Sequence, residues 1–287
     1  MEGKVVVITG ANVGIGLETA VGVAALGATT VLACRNEAKA AAAATQVQER
    51  AQNDDVHVVP LDLADLASVR AAAAAIEARF DRLDVLVNNA GGMWSERATT
   101  AQGFEQTFGV NHLGHFYLTN LLLDRLRASA PARVLNVSSV GHHYCRGMKW
   151  ADLQRERGYS VMNVYAQSKL ANILFTRALA RRLDPAVVTV NALHPGPVRS
   201  GFGMDGDMTG IVGLGNRMIR PFEISPTAGA RTSIFLATDP SVEGETGGYY
   251  VRSRPGHMSR PARDAAASER LWEESERLLA GVGFALS

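Results

Sequence analysis

Short β-branched runs alternate along this chain with Ala-rich stretches of helical period, and that alternation limits the folds open to it. Candidate strands occupy residues 4–9, 29–33, 56–61, 85–88, 133–138 and 187–193. Between them, residues 14–26, 37–50, 65–79 and 163–183 place apolar side chains at three- and four-residue spacing, and a long helix is expected somewhere within 100–128. Strands separated by helices predict an α/β fold, a doubly wound parallel sheet with helices on both faces. The strand runs are continuously apolar, which agrees, because parallel strands are buried on both sides. No internal repeat and no Pro/Gly/Ser-rich linker divides the 287 residues, so 1–287 reads as a single domain.

Charge and cysteine content narrow the setting. The 29 basic and 28 acidic residues leave a net charge of +1 without a long basic run, which argues against nucleic acid or an anionic membrane as a partner. Cys34 and Cys145 are too few for a disulfide framework, so a reducing, cytoplasmic compartment is expected. The first apolar run, Val5 to Ile8, breaks at Gly10 and fits no signal peptide. No apolar stretch reaches the roughly 20 residues of a membrane span, and no membrane anchor is expected.

Two stretches interrupt the rhythm. Residues 140–162 carry mixed charge with His142, His143 and Trp150. Residues 195–225 are rich in Gly and Met, and their apolar side chains include Phe202, Met204, Met208, Ile211, Val212, Leu214, Met218 and Ile219. Such a segment after a strand end suits a lid over a substrate. Its charges (Arg199, Asp205, Asp207, Arg217, Arg220) form no convergent basic cluster of the kind an anionic substrate needs. At the C-terminus, 268–280 with Leu271, Trp272, Leu278 and Leu279 reads as a packed helix or an interface element.

The first strand runs into Thr9-Gly10-Ala11-Asn12-Val13-Gly14-Ile15-Gly16 and then into a helical pattern. Glycines let the backbone turn sharply and approach a pyrophosphate, whose charge a helix N-terminus stabilises. Gly10, Asn12, Gly14, Ile15 and Gly16 are therefore candidate cofactor contacts. An acid ending the second strand would bond an NAD ribose, whereas an Arg accommodates the 2′-phosphate of NADP. This chain has Ala33-Cys34-Arg35-Asn36 there, so Arg35 with Asn36 points to NADP. Asp62, ending the third strand, is a candidate partner for the adenine amine, with Leu63 beside it. Asn89, Ala90 and Gly91 follow the fourth strand and could line the adenosine side.

Tyr165 and Lys169 supply the chemistry. On a helix they share one face, so the ammonium can lie beside the phenol. A nearby positive charge favours phenolate, and a phenol lowered from about 10 toward neutrality is expected. With six Tyr and four Lys in the chain, chance yields about 0.08 such pairs, so the pairing is informative.

Taken together, Thr9–Gly16 as TGxxxGIG, Asn88–Gly91 as NNAG, Asn111, Ser138-Ser139, the YxxxK of Tyr165 and Lys169, and Pro195-Gly196 resemble the short-chain dehydrogenase/reductase superfamily. The match spans roughly residues 4–252. Leu32–Arg35 (LACR), 111–116 (NHLGHF), Lys169–Asn172 (KLAN) and the stretch from His194 to Ser200 (HPGPVRS) are similar to its retinol dehydrogenase-like branch. One departure is Val13, where that branch usually carries Ser or Thr. The resemblance implies a Rossmann-type fold, NADP as cofactor and hydrophobic carbonyls or alcohols as substrates. It implies that Tyr165 exchanges the proton with the substrate oxygen, that Lys169 tunes Tyr165 and holds the nicotinamide ribose, and that Ser139 bonds the substrate oxygen. Asn111 would anchor a relay water, and Pro195, Gly196, Val198 and Ser200 would meet the nicotinamide. His112, His115, His142, His143 and His194 lack a metal-binding pattern such as HExxH, and structural or rim roles are expected of them, with no metal.

The chain thus reads as an NADP-dependent oxidoreductase of hydrophobic carbonyl/alcohol pairs. Its partners on this reading are such a small molecule and, in a homo-oligomer, its own copies. Two rivals stay open: a non-catalytic NADP(H)-sensing or scaffold protein, and a pigment reductase similar to protochlorophyllide reductase.

Overall fold

In a computed structural model, which describes residues 1–197 and 224–286, every candidate strand forms with its ends displaced by no more than one residue. They are β1 (Val5–Thr9), β2 (Thr29–Cys34), β3 (Val56–Pro60), β4 (Val85–Asn88), β5 (Ala132–Val137) and β6 (Val188–His194). Two short strands, β7 (Tyr249–Val251) and β8 (Arg254–Pro255), complete an eight-stranded sheet ordered β3-β2-β1-β4-β5-β6-β7-β8. All neighbouring pairs are parallel except β7 with β8. Strand order reverses between β1 and β4, the place where open α/β sheets form a ligand crevice.

Helices cover both faces. On one, α1 (Gly14–Ala24), α2 (Glu37–Ala51) and α8 (Pro226–Thr238) bury Ala20, Val23, Val47 and Leu236. On the other, α3 (Leu66–Arg79), α5 (Gly114–Leu121), α7 (Val161–Ala180) and α9 (Ala265–Gly281) bury Val69, Phe116, Leu174 and Trp272. Side-chain caps set several helix starts: Asn36 accepts from the Lys39 N–H at 2.9 Å, and Asp65 from that of Ala67 at 3.0 Å. The 268–280 segment is a packed helix within α9. Trp272 meets Phe116 edge-on, with ring centroids 4.9 Å apart.

The long helix expected within 100–128 is instead broken. It runs as α4 (Gln106–Phe108), a π turn over Gly109–Leu113, α5 and α6 (Leu123–Ala128). The Glu105 carboxylate starts it by accepting from the Thr107 and Phe108 N–H groups at 2.8 and 2.7 Å. In the π turn the Gly114 N–H reaches the Gly109 carbonyl five residues back. Position 114 must be Gly, because a Cβ there would stand 2.7 Å from the Leu63 carbonyl oxygen. The extra residue per turn aims Asn111 at the loop after β4. Among the described residues, no helix is long and apolar enough to cross a membrane.

Candidate active site

The parallel strands deliver the candidate residues to one edge of the sheet. Gly10 to Gly16 follow β1, Arg35 and Asn36 follow β2, and Asp62 and Leu63 follow β3. Asn89, Ala90 and Gly91 follow β4, Ser139 follows β5, and Pro195 and Gly196 follow β6. Val198, Ser200 and nearly all of the 195–225 segment lie outside the described residues. Its ends meet, for the Ile224 N–H donates to the Pro197 carbonyl at 2.8 Å.

The glycine turn is built to bring backbone close to an anion. Gly10 and Gly14 have φ of 65° and 62°, the left-handed region that disfavours a side chain. Val13, extended and 55% exposed, provides no side-chain cap for the first N–H groups of α1, the kind of helix start that suits an anion. A Cβ on Gly16 would lie 2.6 Å from both the Gly10 carbonyl oxygen and Asn89 Nδ2. Asn89 locks the turn from the other side, donating from Nδ2 to the Thr9 carbonyl at 2.8 Å. These features fit a dinucleotide pyrophosphate. Arg35 stands exposed beside them, without a hydrogen bond or ion pair among the described residues. Asp62 Oδ1 accepts from the Ala64 N–H at 2.9 Å, while the Leu63 side chain is buried in the core.

Thr9 and His115, given no such role from sequence, tie this edge together. Thr9 Oγ1 accepts from the N–H groups of Asn89 and Ala90, each at 2.9 Å. It also lies 2.9 Å from His115 Nε2, while His115 Nδ1 lies 3.2 Å from the Asn111 carbonyl. A carbonyl only accepts, so Nδ1 bears the proton and the Thr9 hydroxyl donates to Nε2. Burial pushes the His115 pKa down to about 3, so the ring stays neutral. Thr9 and His115 are 106 positions apart, and local patterning carries no sign of such a pairing.

Asn111 is fully engaged. Its Oδ1 accepts from the Gly92 N–H at 2.8 Å, and Nδ2 donates to the Gly92 carbonyl and to Ser168 Oγ, both at 3.0 Å. The side chain therefore clamps the β4 loop to α7.

Ser138 and Ser139 part company at the end of β5. Ser138 Oγ donates to the Lys169 carbonyl at 2.7 Å, a purely structural bond. Ser139 Oγ accepts from the Gly141 N–H at 3.0 Å and hydrogen-bonds the Tyr165 phenol. A Cβ on Gly141 would press within 3.3 Å of the Tyr165 ring, so the tight turn helps hold the phenol. Lys169, 3% exposed, donates from Nζ to the Val137 carbonyl at 3.0 Å, 5.7 Å from the Tyr165 ring centroid.

The expected lowering of the phenol is reversed. Burial raises the Tyr165 pKa above its ordinary value, with the Ser139 hydrogen bond pulling the other way. Burial also lowers Lys169, to about 8. Spacing on a helix reveals a neighbouring charge but not the desolvation that outweighs it. Among the described residues, no group of three His, Cys, Asp or Glu side chains could hold a metal ion.

Comparison with known proteins follows the same lines. A family model described as short chain dehydrogenase matches residues 4–207. Retinol dehydrogenase 12 of Homo sapiens is 46% identical over 279 residues, covering 97% of this chain and 87% of its own. A crystal structure of an uncharacterised protein from Mycobacterium paratuberculosis is similar with a TM-score of 0.78 at 36% identity, over 100% of this chain and 96% of the other. The Pseudomonas aeruginosa RhlG/NADP active-site complex is similar with a TM-score of 0.69 at 27% identity, over 88% and 95% of the two chains.

Proposed function

The chain belongs to the short-chain dehydrogenase family, pyridine-nucleotide oxidoreductases of carbonyl and alcohol substrates, and on that premise we propose that it uses NADP(H) and bulky, apolar aldehydes, ketones or alcohols. The observation that carries this reading is the convergence of Ser139, Tyr165 and Lys169 at the strand edge that also bears the uncapped glycine turn. In reduction, Tyr165 gives its proton to the carbonyl oxygen, and a phenol raised by burial is protonated and ready to do so. Ser139 steadies the same oxygen as charge develops on it. Lys169 stabilises the phenolate left behind and, lying beside Gly91, is the residue to hold the nicotinamide ribose. Asn111 keeps the β4 loop in register with α7. The bound nicotinamide supplies or accepts the hydride. Both free thiols, Cys34 and Cys145, are buried, which suits the reducing, cytoplasmic setting that belongs to this reading.

NADP rather than NAD is supported by Arg35, exposed where an acid would otherwise bind the ribose. NADPH is expected to bind at least ~10-fold tighter than NADH, about 1.4 kcal/mol. Arg35→Ala should remove most of that preference and spare NADH, as fluorescence titration of both nucleotides will measure. Equal wild-type affinities, or a preference for NADH, would contradict the assignment.

An apolar substrate is supported by exposed apolar side chains in the turn that follows Ser139, Val140 (43%) and Tyr144 (74%), and in the first turn of the Tyr165 helix, Met162 (53%). The name of the relative retinol dehydrogenase 12 puts retinol itself in the panel of substrates. With straight-chain aldehydes under saturating NADPH, kcat/KM should climb with chain length, each buried methylene contributing at most about 0.8 kcal/mol. Small anionic keto acids should be poor substrates. A flat series, or keto acids ahead of the aldehydes, would refute the substrate class.

A further inference from the structure

His142 lies three residues beyond Ser139 in the same 3-10 turn, fully buried, and uses both ring nitrogens. Nδ1 is 2.6 Å from the Ser139 carbonyl, an acceptor only, so Nδ1 carries the proton. The backbone N–H of Ser259 donates to Nε2 at 3.2 Å, so Nε2 is bare. Together these bonds require the neutral Nδ1–H tautomer, whereas free imidazole favours the proton on Nε2. The ring is wedged between His143, centroids 4.0 Å apart, and the edge of Tyr249 at 5.0 Å. Burial holds its pKa near 4, so the tautomer survives at neutral pH.

Ser139 is the corner at which β5 leaves the sheet, and its hydroxyl must be held within about 0.5 Å to serve a substrate oxygen. The Ser139 carbonyl takes the imidazole Nδ1–H and, at 3.2 Å, the backbone N–H of His142. We infer that His142 is a positioning residue: by tying the Ser139 backbone to the segment after β8, it fixes the hydroxyl beside Tyr165. The inference rests on Ser139 as the substrate-oxygen donor. It also makes the chain around Ser259, 120 positions downstream of Ser139, a structural partner of the site.

Side-chain replacements separate the two bonds. The Asn Nδ2 falls near the imidazole Nδ1 and can donate to the Ser139 carbonyl. Gln instead reaches the Nε2 position, where it can accept from Ser259 but cannot serve Ser139. With decanal and NADPH, His142→Ala and His142→Gln should lower kcat ~10-fold or more, as a misplaced catalytic group does. NADPH affinity should stay within about 2-fold in all variants, and His142→Asn should keep kcat within about 3-fold of wild type, because its donor is retained. Equal kcat throughout, rescue by Gln instead of Asn, or a parallel loss of NADPH affinity would overturn the positioning role. The second readout is independent of turnover. In ¹⁵N-histidine NMR of the wild type, a neutral Nδ1–H ring beside that of His115, missing from His142→Asn, should persist at about pH 6.5, where an ordinary histidine is half protonated. If the ring lost in His142→Asn is Nε2–H or protonated, the geometry is overturned even in a sample without activity. If wild type reduces no aldehyde or ketone while the tautomer is as described, it is the functional reading that fails.

Discussion

Tyr165→Phe is expected to reduce kcat for aldehyde reduction by roughly 10² or more, the lower range for acid-base catalysis. Phe keeps the ring that packs against Gly141 and removes only the hydroxyl that meets Ser139. Neither the fold nor the glycine turn depends on that hydroxyl, so the melting temperature and NADPH affinity should stay close to wild type. Steady-state NADPH absorbance and a fluorescence titration on the same preparation measure both. A variant that turns over within a few-fold of wild type would remove Tyr165 from the mechanism.

Lys169→Met is expected to abolish most turnover, weaken NADPH binding and yet stabilise the fold. Burial lowers the Lys169 pKa from 10.5 to about 8, so the folded state holds this proton less tightly than the unfolded chain. Stability therefore rises with pH between about 8 and 10.4, and below that window the charge costs roughly 3 kcal/mol. Met keeps the apolar stem and drops the charge. The Val137 carbonyl is not orphaned by the change, because Asn172 Nδ2 also donates to it at 3.1 Å. The melting temperature at pH 7 should rise by several degrees, and the gain should shrink as pH climbs above 8. In the wild type, carbonyl reduction should slow as pH rises through about 8 and Lys169 loses its charge. A variant that is both less stable and fully active would contradict the burial argument and the catalytic one together.

The strand edge was readable from sequence because each of its parts is local. A buried apolar run followed by a glycine turn, an Arg or an Asn-Ala-Gly places those residues at strand ends by chain order alone, and the structure puts them there. What could not be read depends on distant contacts. The π turn at Gly109–Leu113 has the same apolar period as the α-helix expected, and only the approach of the Leu63 carbonyl explains Gly114. Helix α8 begins at Ser225-Pro226, directly after the Gly/Met-rich stretch that obscured its cap, and β7 has only three residues. Ser138 lies one residue past the end of β5, and its bond to the Lys169 carbonyl, 31 positions on, leaves no local trace. The upward shift of Tyr165 is hidden for the same reason: a sequence shows the neighbouring Lys169 but not the burial that raises the phenol.

The central claim is that this site passes a hydride and a proton to one carbonyl group, and isotope transfer tests it most directly. NADPH deuterated at the transferable C4 position should be incubated with decanal and the enzyme, and the alcohol analysed by mass spectrometry. The account predicts one deuterium on the carbinol carbon of each product molecule, formed at a rate that Tyr165→Phe cuts by roughly 10². Decanol formed without the label, or labelled product made equally fast by the variant, would contradict it.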